Sequence, residues 1–231
     1  MKLNLSGELI PSDWAEIYRR WGYKSGFYCP DDVRNAISNL EPGEELLLEV
    51  NSIGGSVFGG NEIYALLEGC VNPTRAVIQS MAASAASYMI MPCNRIEIHL
   101  PAQLMIHRAS TYAWGNSEDL QQAQQMLDVT DEAILNTYCR RCGDRVSRKE
   151  LASMMENETY IGAADALRYG LVDSIIGGEN DGQSGLLVAS AFNNTVKAMR
   201  TLPDIQTLLD AEKSESDRLH KELEMEKSKF I

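Results

Sequence analysis

Ser84 and His107 are the residues of this chain whose types and surroundings best suit joint chemistry. Ser84 lies in Ser80-Met81-Ala82-Ala83-Ser84-Ala85-Ala86-Ser87. An apolar run from Arg75 to Gln79 precedes it and reads as a buried strand; Tyr88-Met89-Ile90-Met91 follows and reads as buried helix. A hydroxyl at a strand-to-helix turn feels the unpaired N–H groups and positive end of the helix. Small neighbours leave room for a carbonyl, which a nucleophilic serine requires. Taken alone, such a run is more often a small-residue helix face packed against a sheet. Of the three histidines, His220 lies in a charged tail and His99 within an alternating strand. His107 closes the apolar run Leu104-Met105-Ile106 ahead of a loop, where a general base belongs. The third feature is Asn51-Ser52-Ile53-Gly54-Gly55-Ser56-Val57 between a strand and a helix. Paired glycines there permit tight turns and outward N–H groups. The G-x-G-x-x-G and Walker patterns are absent, which argues against a nucleotide site. Parallel strands end on one sheet edge, so strand ends at Gly54-Gly55, Ser84 and His107 would share one crevice.

The elements that must position these residues alternate. Leu3, Leu5 and Leu9 mark a strand over 2–10, and Trp14, Ile17, Tyr18 and Trp21 a short helix. Residues 22–30 read as turn. Asp31 or Asp32 caps a helix through Leu40, and Glu45–Val50 is a central strand. A helix over 58–68, the strand before Ser84, a strand over 94–100 and the run into His107 follow. This repetition predicts an α/β layered domain. Asn116-Ser117-Glu118-Asp119 starts a helix to Arg141, with Leu120, Ala123, Leu127, Ile134 and Tyr138 on one stripe. Its surface glutamines suit packing against a second copy as well as they suit an ordinary covering helix. Helices over 148–155 and 163–169 and a strand over 171–176 complete the body. Residues 179–184 have linker composition. Residues 204–231 read as a charged helix of about 40 Å with a weak heptad pattern.

Composition narrows the class. The 231 residues suffice for one core and an appendage. A net charge of −12 argues against a nucleic-acid partner. No apolar run approaches the roughly 20 residues of a membrane span, and Met1–Glu8 lacks a signal-peptide core. Five cysteines suit a reducing cytoplasm, with Cys139 and Cys142 expected as half-buried thiols on a helix rather than zinc ligands.

Four blocks carry a family resemblance: Asn51–Val57, Met81–Ser87, Met105-Ile106-His107, and Ile161–Asp173 ending Tyr169-Gly170-Leu171-Val172-Asp173. In order and spacing they resemble the Clp protease proteolytic subunit (ClpP) family, and their wording is most similar to its phage and prophage head maturation (prohead) branch. The resemblance spans about residues 1–178 and implies a ClpP/crotonase-like α/β fold with a projecting handle helix; residues 179–231, read above as a linker and C-terminal helical tail, lie outside it. It implies Ser84 as nucleophile, His107 as general base, and the N–H groups of Gly55 and Ala85 as oxyanion hole. The acid falls on Glu158, where the better-known branch has aspartate; Glu156 and Asp165 are the nearby alternatives. Ile53 stands for the usual proline and Ser80 for the usual glycine. The implied activity is a serine endopeptidase without cofactor or metal, cutting protein or peptide substrates inside stacked homo-oligomeric rings in the cytoplasm of a bacterium or phage-infected host. Capsid or scaffold proteins and an unfoldase ATPase are its candidate partners. A catalytically weak ring that serves as a structural or scaffold-interaction protein, and a crotonase-type acyl-CoA enzyme, are the competing readings.

Overall fold

The computed structural model describes residues 1–177 and residue 213; the expected linker and tail helix lie outside the described residues. The chain opens with β1 (Lys2–Leu9), whose alternating apolar residues turn Leu5 and Leu9 into the core. Helix α1 (Ser12–Arg20) carries Asp13 in its first turn and Arg19 and Arg20 in its last, complementing its dipole. It packs Ala15 and Tyr18 with Ile10, Phe27 and Cys29 into a small satellite cluster. The stretch expected as turn contains β2 (Phe27–Tyr28), two residues added to the edge of β1. Helix α2 (Pro30–Ser38) begins before the expected aspartates because Pro30 fits the first helical position. Asp32 instead reaches back to accept the Cys29 N–H at 3.0 Å.

Strand β3 (Leu46–Gly55) runs five residues beyond the expected end, so the glycine pair terminates a strand rather than forming a separate loop. Helix α3 (Val57–Glu68) follows, Ser56 Oγ accepting the Gly59 N–H at 3.1 Å as its cap. Strand β4 (Thr74–Ala83) leads into α4 (Ala85–Tyr88), a helix of only four residues. The buried helix expected through Met91 instead continues as tight turns, with Met91 N–H to Tyr88 O and Cys93 N–H to Ile90 O. Next come β5 (Arg95–His99) and β6 (Gln103–Ile106).

Helix α5 (Ser117–Cys142) starts at a capping box: Asn116 accepts from the Glu118 and Asp119 amides, and Asp119 from the Asn116 amide. Its expected stripe splits: Ile134 and Tyr138 are buried, with Leu135 and Cys142 beside them, whereas Ala123 and Leu127 are half-buried and Leu120 is exposed, as are Met126 and Val129 on the same N-terminal half. Helix α6 (Arg148–Glu156), strand β7 (Thr159–Gly162), helix α7 (Ala163–Tyr169) and strand β8 (Ser174–Ile176) close the body. Gly170 takes the left-handed cap position at φ 78°. Among the described residues no helix is long and apolar enough to cross a membrane.

The main sheet runs β2-β1-β3-β4-β5-β8, all neighbours parallel. Two irregularities in β4 shape this sheet. Val50 pairs with Ile78 but Ser52 with Ala82, so β4 bulges at exposed Gln79 and Ser80. The same strand then changes partner: residues 75–78 lie beside β5, and residues 81–83 beside β6. The sheet forks there, and β6 carries β7 antiparallel on its outer side.

Candidate active site

The fork brings the C-terminal ends of β3, β4 and β6 together. Ala83 pairs with Met105, and the Ser84 N–H donates to Met105 O at 2.9 Å. Two residues beyond Met105, His107 therefore stands alongside Ser84, with Nε2 2.7 Å from Ser84 Oγ. The antiparallel pairing of Ile106 with Thr159 sets Glu158 across from His107. Glu158 Oε1 lies 3.8 Å from His107 Nδ1. That is an ion-pair distance but not a hydrogen bond. The histidine side chain is 20% exposed and the glutamate 71%, so the acid sits at the solvent edge of the pair.

Backbone strain is concentrated here. Among the described residues, the non-glycine positions with positive φ are Ser84 at 53° and Glu158 at 46°. Such conformations cost on the order of 1–3 kcal/mol each and persist where surrounding structure imposes them. For Ser84, with ψ −128°, three restraints are visible. Its N–H is held by β6; its carbonyl accepts the Ser87 N–H at 2.9 Å and the Ser87 hydroxyl at 2.6 Å; and Gly54 presses against it. A side chain on Gly54 would lie 2.7 Å from Ser84 Cβ and 2.8 Å from the Ala85 nitrogen. Gly54 is thus required by close approach as well as by its φ of 89°.

A buried hydroxyl fixes the glycine turn from below. Ser52 Oγ donates to Gly7 O at 2.6 Å and accepts the Gly54 N–H at 3.0 Å, with Tyr28 Oη 2.9 Å away. Burial holds the Tyr28 phenol well above its ordinary pKa, so it remains a proton donor. The glycine turn is thus restrained by side-chain hydrogen bonds to Ser52. Gly55, Val57, Ser84, Tyr88, His107 and Tyr138 are among the residues lining the cleft above.

Ser84, His107 and Gly55 thus line one cleft, Glu158 stands beside His107, and Ala85 begins the short helix next to them. Of the alternative acids, Asp165 pairs with Arg168 at 2.8 Å, and Glu158 is the carboxylate that reaches His107. Ser80 is exposed in the bulge, and Ser87 is buried with its proton on Ser84 O, so neither offers a hydroxyl to the histidine. Ser52, Ser87 and Tyr138 are the site residues that sequence reasoning did not single out. Ser52 and Ser87 lie inside quoted motifs and Tyr138 on the expected stripe, but their hydrogen bonds follow from the tertiary structure.

The Clp protease profile matches residues 35–179. The chain belongs to the Clp protease family. It is 27% identical over 152 residues to the ATP-dependent Clp protease proteolytic subunit of Deinococcus radiodurans, covering 64% of this chain and 73% of that protein. It is 26% identical over 178 residues to the subunit of the same name from Pinus contorta, covering 70% of this chain and 85% of that one. To the chloroplastic Clp protease proteolytic subunit 1 of Arabidopsis thaliana it is 26% identical over 185 residues, 71% and 90% of the two chains. Membership in this family supports a peptidase function, and the mixed α/β architecture with its parallel sheet accords with the ClpP fold.

Proposed function

We propose that this protein is a serine endopeptidase with Ser84 as nucleophile, His107 as general base and Glu158 as the acid that orients the imidazole. The observation that carries this reading is the 2.7 Å contact between Ser84 Oγ and His107 Nε2 at a strained strand-to-helix turn. In attack on a peptide carbonyl, Ser84 Oγ bonds to carbon while its proton passes to His107 Nε2. The oxyanion that forms is held by the backbone N–H groups of Gly55 and Ala85, donors worth about 10²–10³ each in rate when lost. The C–N bond then breaks, the amine taking the proton from His107; water repeats the sequence on the acyl-enzyme. Glu158 stabilises the imidazolium while it exists. ATP has no part in these bond-making steps.

The wider setting belongs to the same proposal. The exposed apolar residues on the projecting half of α5 suit contact with the equivalent helix of a facing ring, enclosing the sites in a chamber that protein or peptide substrates enter. The four sequence blocks support work in phage or prophage head maturation in the cytoplasm, with capsid or scaffold proteins as substrates and an unfoldase ATPase as a candidate partner. Residues 1–178 form the protease domain, and 179–231 a linker and charged tail. A catalytically weak ring with a structural role is the second reading, favoured by the solvent-facing Glu158 and its 3.8 Å gap from the imidazole.

The test is fluorophosphonate labelling of purified wild type beside Ser84→Ala, with intact-mass analysis of self-processing. The expected result is one adduct mapping to Ser84, and processing in wild type alone. A wild type that takes no label, or an equally active Ser84→Ala, overturns the reading.

A further inference from the structure

The carbonyl of the nucleophile's own residue is tied to a helix that contributes no group to the proposed chemistry. Ser84 O accepts the Ser87 hydroxyl at 2.6 Å, and Ser87 Oγ lies 2.6 Å from Tyr138 Oη on α5. A serine hydroxyl has one proton. Ser87 places its proton on Ser84 O, so the Ser87–Tyr138 contact requires the phenol to donate. Burial raises the Tyr138 pKa, which keeps that proton in place. Ser87 is 0% and Tyr138 1% exposed, so water does not compete. The bonds therefore run in one direction, from Tyr138 Oη–H to Ser87 Oγ–H to the Ser84 carbonyl, each polarising the next.

The peptide between Ser84 and Ala85 is planar and trans, which makes its N–H antiparallel to its C=O. Holding the carbonyl towards Ser87 turns the Ala85 N–H the other way. The Ala85 nitrogen is on the side where the Gly54 turn approaches, within 2.8 Å of where a Gly54 side chain would stand. We propose that Tyr138 and Ser87 are positioning residues that aim the Ala85 N–H at the oxyanion through the Ser84 carbonyl. Neither touches a reacting atom. The inference rests on the serine-peptidase reading and adds to it a link between α5 and the oxyanion hole.

A double-variant cycle separates positioning from stability. Ser87→Ala removes the hydroxyl's bond to Ser84 O, leaving that from the Ser87 N–H, and strands the buried phenol. Tyr138→Phe leaves that bond but ends its polarisation. The double variant has no stranded hydroxyl, so its melting temperature should return towards wild type. Each is labelled with a fluorophosphonate, and the maximal labelling rate is resolved from reagent affinity. Ser87→Ala should lower the maximal rate about tenfold and Tyr138→Phe about threefold, with affinity unchanged. The double variant should remain as slow as Ser87→Ala although its stability has recovered. A rate that recovers together with stability, or Ser87→Ala labelling at the wild-type rate, overturns the inference while the peptidase reading stands. A wild type that takes no label overturns the reading beneath both.

Discussion

Gly54→Ala is the substitution for which the structure gives the sharpest quantitative expectation. The new methyl would stand 2.6 Å from Ala83 O, 2.7 Å from Ser84 Cβ and 2.8 Å from the Ala85 nitrogen. Carbon atoms in comfortable contact are about 3.5–4.0 Å apart, so the nucleophile turn and the glycine turn must separate by about 1 Å. The backbone at φ 89° adds a further cost of about 1–2 kcal/mol for a residue with a Cβ. Overpacking in a rigid site costs about 1–3 kcal/mol, for a loss of about 2–5 kcal/mol in all. In a domain of this size each kcal/mol lowers the melting temperature by about 2–4 °C. Catalysis should suffer more than folding, because displacement of a reacting group by about 1 Å costs about 10²-fold. Calorimetry gives the first quantity, and fluorophosphonate labelling well below the melting transition the second. Gly162→Ala is the control: its φ is −73° and no atom lies within 4 Å of the added methyl. A Gly54→Ala protein that melts and labels like wild type would refute the close-approach reasoning.

Three further outcomes follow from the same geometry. Glu158→Gln should lower turnover about tenfold, less than for a buried acid, because the carboxylate is solvent-exposed and not hydrogen-bonded to His107; stability should move by less than about 0.5 kcal/mol. Unchanged steady-state kinetics would remove Glu158 from the mechanism. Burial pushes the Cys93 thiol up to about 12 and Cys142 up to about 11, and raises buried Cys29 as well, so of the five cysteines iodoacetamide at about pH 8 should alkylate only Cys70 and Cys139 in the native protein, read by peptide mapping. Finally, burial alone would raise the Glu97 pKa, but hydrogen bonds from Arg75 and Ser174 and the charge of Arg95 bring it below the ordinary 4.5. A depressed carboxylate stabilises the fold above its ordinary pKa and loses that contribution as pH falls through the folded value. Glu97→Gln should therefore lower the melting temperature at neutral pH, with the gap closing as acid titrates the wild type.

The sequence was most informative where local pattern and site coincide. Gly54-Gly55, Ser84 and His107 each follow an apolar run, and parallel strand ends do gather them. What could not be read locally depends on partners far along the chain. The exchange of β4 from β5 to β6 arises from pairing across the sheet, and nothing in residues 75–83 announces it. Helix α4 starts only at Ala85, after a Ser84 φ that its residue type disfavours, and ends at Tyr88 in tight turns that the apolar run Tyr88–Met91 does not announce. Strand β7 is four residues beside a longer apolar block, too brief for a period to stand out. Glu158 was legible only through family resemblance; its placement comes from the antiparallel pairing of β6 and β7. The stripe of α5 obeyed helical spacing throughout, but where the helix leaves the body depends on the size of the core beneath it.

The fork in the sheet has a consequence for the order in which a working enzyme can appear. Ser84 directly follows β4, whereas His107 and Glu158 flank the β6–β7 pair, whose sheet contact to the main body among the described residues is the last three residues of β4. With Ser84 as the proposed nucleophile, a ribosome-bound chain that has emerged only through α4 would have its serine turn but no His107 to activate it. Even when His107 has emerged, β7 and its acid remain some 50 residues of synthesis away, and the buried end of α5, with Ile134, Leu135 and Tyr138, must dock in between. Opening of β6–β7 alone would likewise separate base and acid from the serine while leaving the large parallel sheet intact, the kind of sub-global opening that costs less than full unfolding. On the proposed assignment, proteolytic competence would require the finished fold, and a nascent or partly opened chain would be unable to cut its neighbours.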